Sequence, residues 1–171
     1  MTKPQGHHHP IDEKLKQAIG SAIGRIPSGL FILTARHEDR RTGILASWVQ
    51  QVSFEPAMVM VAVAKGRPIM PLISESCKFA LCQLPKGEKI LMRKFAGGID
   101  QGEDPFLGME MLHGATAGLP ILAHVVSYLE CEVTCHVDFE GDHDIFIGIV
   151  RNGALVGGEP HVHLRENGYR Y

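Results

Sequence analysis

Three short stretches of the chain hold the side chains whose types and spacing could do chemistry. The first is Lys65-Gly66-Arg67, two cations around a glycine at the exit of an apolar run. Cations hold anionic oxygens through charge-assisted hydrogen bonds, and glycine lets backbone come close to a ligand, which suits a phosphate. Two solvated charges in a turn are the other reading. The second is Gly141-Asp142-His143-Asp144, an imidazole between two carboxylates. Imidazole donates a hydrogen bond in either protonation state and changes charge near neutral pH. On these residues alone a turn histidine capping a strand is the stronger reading. The third is Leu45-Ala46-Ser47-Trp48-Val49-Gln50-Gln51-Val52-Ser53, where small and polar side chains alternate irregularly with apolar ones. Trp48 is the only tryptophan, and in a β-rich domain it is either a core residue or a ring that stacks on a ligand.

The remaining reactive side chains fall into no known constellation. No nucleophile elbow, Rossmann glycine fingerprint or Walker loop is present. Cys77, Cys82, Cys131 and Cys135 form no Cys-x-x-Cys pair and read as four buried thiols. Cys131 and Cys135 would share one strand face about 13 Å apart at about 3.3 Å per residue, too far for a disulfide. His7-His8-His9 lies in a loose arm over residues 1–10, and His161 and His163 alternate along a strand. Neither group reads as a metal site, and no metal is expected.

The elements that must position these residues are mostly strands. Asp12 caps a helix to about Arg25, with Leu15, Ile19, Ala22, Ile23 and Ile26 at helical spacing as its packing face. Leu30 to Ala35 and Gly43 to Ser53 read as two strands of a hairpin-like start. Met58 to Ala64, an uninterrupted apolar run, reads as a buried third strand beyond Pro56. A short helix follows Pro68, then a strand from Phe79 to Leu84 and a helix from Lys86 to Phe95. Residues 97–118 are a glycine-rich surface excursion whose Phe106, Leu107, Met109 and Met111 have little to pack on within one chain. Long strands over 125–138 and 144–150, a His161 to Leu164 strand and the tail Gly168-Tyr169-Arg170-Tyr171 complete the chain. The strands are too closely spaced for parallel crossovers, so the expected fold is mainly β with a few helices, an antiparallel closed or partly closed barrel.

At 171 residues and 44% hydrophobic, the chain is sized for one domain over residues 1–171. A net charge of -2 gives no basic field, so neither nucleic acid nor membrane is an expected partner. No signal-peptide pattern or membrane-length apolar run is visible, which predicts a cytoplasmic protein.

Taken together, Ala46-Ser47 through Ser53-Phe54-Glu55-Pro56, the Met58 to Ala64 strand, Gly141-Asp142-His143 and the aromatic C-terminus resemble the flavin reductase-like family over about residues 21 to 171. The likeness is greatest to the C-terminal flavin-reductase domain of A-type (flavodiiron) flavoproteins, through Leu-Ala-Ser-Trp-Val, Val-Ala-Val-Ala-Lys and Leu-Glu-Cys-Glu-Val runs. The resemblance implies an FMN-binding split barrel, homodimeric, with the flavin near the subunit interface. It implies a cofactor site of Ala46, Ser47, Trp48, Val49, Gln50 and Gln51 along the flavin ring and Lys65, Gly66 and Arg67 at its phosphate, with His143 beside the reactive face. The family pattern has a second serine, an aromatic residue and a threonine where this chain has Trp48, Val49 and Gln50. The implied activity is transfer of a hydride from NADH or NADPH to FMN, or FAD in its place, and of electrons onward to an acceptor. The alternative is an FMN-binding electron-transfer protein reduced by a redox-protein partner, without a nucleotide site.

Overall fold

The computed structural model describes residues 12–97, 99, 102–113 and 118–169; the expected N-terminal arm, His7-His8-His9 and the last two tail residues lie outside them. The chain forms two compact units, one of the described residues up to Pro27 with those from Leu164 onward, the other Ser28–His163. In the first, helix α1 (Glu13–Gly24) starts where Asp12 accepts a hydrogen bond from the Leu15 amide at 2.9 Å. Its packing face is only part of the one the apolar spacing predicts: Ile19 and Ile23 are half-buried, and Ile23 lies against Gly168. Gly20 and Gly24, four residues apart, are the buried positions, while Leu15 and Ile26 are exposed. A Cβ on Gly24 would stand 2.6 Å from the Arg165 carbonyl oxygen, so the 165–168 segment lies against bare backbone. Close approach selects glycine here over a larger apolar stripe.

The second unit carries the remaining elements: β1 (Ser28–Gly29), β2 (Phe31–His37), β3 (Arg40–Ala46), β4 (Val49–Ser53), β5 (Met58–Ala64), α2 (Ile69–Ser76), β6 (Lys78–Gln83), α3 (Ile90–Ala96), β7 (Met111–Leu112), β8 (Ile121–Leu122), β9 (Ser127–Val137), β10 (His143–Leu155) and β11 (Val162–His163). Seven strands make one antiparallel sheet in the order β3-β2-β6-β9-β10-β5-β4. Its two edge strands, β3 and β4, are consecutive in sequence and separated only by Ser47 and Trp48. Two residues cannot cross a flat seven-stranded sheet at about 4.8 Å per strand, so the sheet curls until its edges approach each other without pairing. Ala46 on one edge and Val59, Val61 and Val63 beside the other accordingly share one core. The predicted single strand from Gly43 to Ser53 is therefore two strands on opposite edges, because alternation within a segment does not reveal which neighbour each half pairs with.

Burial follows the two-residue period of each strand. Leu33 and Ala35 of β2 with Phe79 and Leu81 of β6 face the interior of the curl, where α2 adds Ile69, Leu72 and Ile73. Ile32, Ala80 and Cys82 face a second core completed by Leu91 and Phe95 of α3 and by Phe106, Leu119, Ile121 and Leu122. Phe106 is thus buried within the chain, correcting the expectation that the 97–118 excursion lacks packing partners; Leu107 alone of its four apolar residues is strongly exposed. On β5, Val59, Val61 and Val63 are buried, whereas Met58, Met60, Ala62 and Ala64 on the opposite face are half-buried.

The cysteines divide rather than sharing one fate. Cys82 and Cys131 are buried, and burial pushes each thiol up to about 12, while Cys77 and Cys135 are exposed. A register shift between Ile147 and Gly148 skips one residue of β9 and breaks the parity that would have put Cys131 and Cys135 on one face. No helix among the described residues is long and apolar enough to cross a membrane.

Candidate functional site

The β10–β5–β4 ladder brings the predicted residues toward one another. His143 pairs with Ala64 on β5, Val49 pairs with Val61, and the Ala62 amide donates to the Trp48 carbonyl at 3.0 Å. Through that shared central strand, two residues far apart in the chain become neighbours. The Trp48 and His143 rings lie 4.5 Å between centroids, tilted by 44°. His143 is buried, and its Nδ1 is 2.7 Å from Asp142 Oδ1. The hydrogen bond from His143, then its charge, hold the Asp142 carboxyl below the usual carboxylate range. With Asp142 accepting at Nδ1, the Nε2 edge remains for a second partner. Ala46 and Ser47 are buried where the chain passes from β3 to β4, Val49 packs on the interior core, and Gln50 and Gln51 are exposed.

The Lys-Gly-Arg exit is split in two by its own turn. Gly66 has φ 80°, a left-handed conformation that glycine adopts without steric cost, and the Arg67 amide closes the turn on the Ala64 carbonyl at 3.3 Å. Lys65 is turned toward the 138–144 hairpin: Nζ donates to Asp138 Oδ1 and to the Phe139 carbonyl, each at 2.7 Å, and sits 3.5 Å from Asp144 Oδ1. Asp144 is buried, and its second oxygen is 2.9 Å from His136 Nε2. The His136 ring stacks on Phe146 at 4.4 Å. No sequence motif marks this cluster of Asp138, Asp144 and His136. The acidic run Asp138 to Asp144 is its only signal, and it gains meaning once the register sets it beside Lys65.

Gly66 and Arg67 instead border a cleft of about 830 Å³ with Arg40, Arg41, Met70 and Leu72. Arg41 is held by Asp104 through Nε at 3.0 Å and a second nitrogen at 2.5 Å, an ion pair that keeps the Asp104 carboxyl below its ordinary range. Among the described residues Arg40 and Arg67 make no ion pair. A Cβ built on Gly66 meets nothing within 4 Å. Arg40 and Arg67, unpaired among the described residues, are guanidinium groups of the kind that hold an anionic group such as a nucleotide phosphate, in a cleft that the carboxylates of Asp39 and Glu103 also line.

Residues 23–170 match the family model described as "Flavin reductase like domain". The chain belongs to the flavin reductase-like family. Diflavin flavoprotein A 1 of Synechocystis sp. (strain ATCC 27184 / PCC 6803 / Kazusa) is 39% identical over 162 residues, 93% of this chain and 28% of that protein. The chain spans about a quarter of the length of such curated relatives. Among solved structures, the NADH:FAD oxidoreductase SgcE6 of Streptomyces globisporus C-1027 superposes with a TM-score of 0.79 at 25% identity over 98% of this chain and 96% of that one. The FMN-binding protein from Thermus thermophilus with bound p-hydroxybenzaldehyde gives 0.68 at 25% identity over 76% and 73%. The architecture is the split barrel of these flavin reductase-like proteins, and its open seam is the Ser47-Trp48 passage between β3 and β4.

Proposed function

We propose that this flavin reductase-like chain is a flavin-dependent oxidoreductase that passes a hydride from NADH or NADPH to bound FMN, or FAD, and electrons onward to an acceptor, in a cytoplasmic setting. The observation that carries the reading is the Trp48–His143 pair, assembled at the barrel seam within a chain that matches the family along most of its length. When bound, the flavin supplies the hydride and electron chemistry itself, which leaves the protein to bind, orient and balance charge. Arg67 and Arg40, which line the same cleft, would hold the phosphate end, and Ala46 to Gln51 would line the ring. His143, oriented by Asp142 through Nδ1, presents Nε2 as a hydrogen-bonding edge beside the ring. Such an orienting contact lowers the barrier by stabilising charge as it develops. Homodimerisation fits the half-buried outer face of β5, and light scattering should return twice 18.8 kDa.

Adding NADH or NADPH without oxygen to the flavin-loaded protein tests the reading. Rapid bleaching of the flavin absorption is expected; none with either nucleotide would refute it. A second reading, an electron-transfer protein reduced by a redox-protein partner, is favoured by the curated relatives, in which this chain matches about a quarter of a longer flavoprotein. Bleaching only by a reduced redox protein would support that reading instead.

A further inference from the structure

His143 begins β10 directly after an exposed turn, and little in that turn holds it in place. Residues 138–142 are all exposed, with Phe139 about half so. Turns with few buried contacts open locally at low cost. Lys65 makes up that deficit. Its Nζ reaches Asp138 at the end of β9, the Phe139 carbonyl in the turn and Asp144 at the start of β10, and its amide donates to the Asp142 carbonyl at 2.9 Å. These four partners span both arms of the hairpin and flank His143 on either side in sequence. A lysine suits the role because its ammonium, on a flexible stem, donates to Asp138 and to the Phe139 carbonyl while facing the Asp144 carboxylate as an ion pair at 3.5 Å, an arrangement no planar guanidinium fork would match.

We propose that Lys65 is a positioning residue, a clamp that closes the 138–142 turn and fixes His143 against Trp48, rather than a ligand of the flavin phosphate. The inference rests on the reading of His143 as the residue beside the flavin. The two cations of the Lys-Gly-Arg exit then have separate roles, Lys65 serving the ring end through His143 and Arg67 the phosphate end. The hydrogen bond that Lys65 donates to Asp138 raises the Lys65 pKa and lowers that of Asp138, so the clamp is fully charged through the neutral range. Asp144, buried between Lys65 and His136, ties the clamp to the strand itself.

The test compares the full chain with Lys65→Met, Lys65→Arg and the milder Asp138→Asn, whose target carboxylate is exposed. Amide exchange of 139–143 should quicken at least about tenfold in Lys65→Met, less in Asp138→Asn, with exchange in β2 and β6 unchanged. Trp48 emission gives a second readout, because the chain has one tryptophan and a protonated imidazole beside an indole quenches it. The charged groups around His143 are Asp142 and Asp144 on its own side, Lys65 at the end of β5, and His136 and Asp138 on the β9 side. The quantity read is the amplitude of acid quenching at matched flavin content. That amplitude should fall by about half or more in Lys65→Met and recover in part in Lys65→Arg. Flavin affinity should stay within about threefold while the anaerobic reduction rate falls about tenfold. Unchanged exchange and quenching in Lys65→Met, with flavin affinity lost, would overturn the clamp and return Lys65 to the phosphate. If the parent is not reduced by either nucleotide, the reductase reading fails, while exchange and emission still judge the clamp.

Discussion

Lys65 and Arg67 leave the same strand two residues apart, yet the first is bonded into the 138–144 hairpin and the second borders the cleft without an ion pair among the described residues. The left-handed Gly66 between them turns the backbone and sends the two side chains to different neighbourhoods. On the hairpin side the charges are largely satisfied by the protein: Lys65 by Asp138, Asp144 by His136, His143 by Asp142. On the cleft side Arg41 is satisfied by Asp104, but Arg40 and Arg67 are not matched among the described residues. A cation already hydrogen-bonded to carboxylates must give up those bonds before it can hold a ligand, whereas an uncommitted one gives up only water. The hairpin side should therefore govern rate, and the cleft side affinity.

The largest expected effect sharpens the rate half of that contrast. His143→Ala should slow anaerobic flavin reduction roughly a hundredfold, about 2 to 3 kcal/mol of barrier, with flavin affinity nearly unchanged, as read by stopped-flow and by titration. A rate within about twofold of the parent would make His143 structural and leave the hairpin side without a kinetic role.

The affinity half rests on Arg67. Arg67→Ala should weaken flavin binding about tenfold, and clearly more than Lys65→Ala does, by fluorescence titration. Equal losses in the two variants would erase the distinction between the two sides.

A smaller effect tests what the two sides share. A Cβ on Gly148 would come within 2.9 Å of the Phe79 ring and 3.0 Å of Cys131 Cβ, inside the β10 strand that supports the site. Gly148→Ala should cost about 1 to 3 kcal/mol in urea unfolding, from overpacking. It should leave the contrast between the Lys65 and Arg67 variants intact.

The smallest effect is in pH dependence. Asp138 and Asp142 have folded pKa values depressed by Lys65 and His143, so their contribution is present above the ordinary carboxylate range and is lost as pH falls through the depressed values. Lys65 has a raised folded pKa, so its contribution is present below the ordinary lysine value and lost as pH rises through the raised one. The difference in urea midpoint between the parent and Lys65→Met should thus be steady through neutral pH and shrink at both extremes. It should be small throughout, because the Lys65–Asp138 pair is exposed and screened.

Much of this was legible in the chain itself. The strands at 31–37, 58–64, 78–83 and 127–137, the capped first helix and the turn at Gly66 rest on local signals, whereas the convergence of Trp48 and His143 comes from the register of β10, β5 and β4. What the tertiary structure alone decided were matters of register and neighbourhood. It split Gly43–Ser53 between two edges, buried Phe106 beneath α3, separated the four cysteines into two buried and two exposed, and gave Lys65 its carboxylate partners. Local propensity and periodicity act over a few residues, but strand order and register depend on contacts between residues far apart in the chain. A bulge or a two-residue passage between edges reassigns every side chain that follows it to a new face.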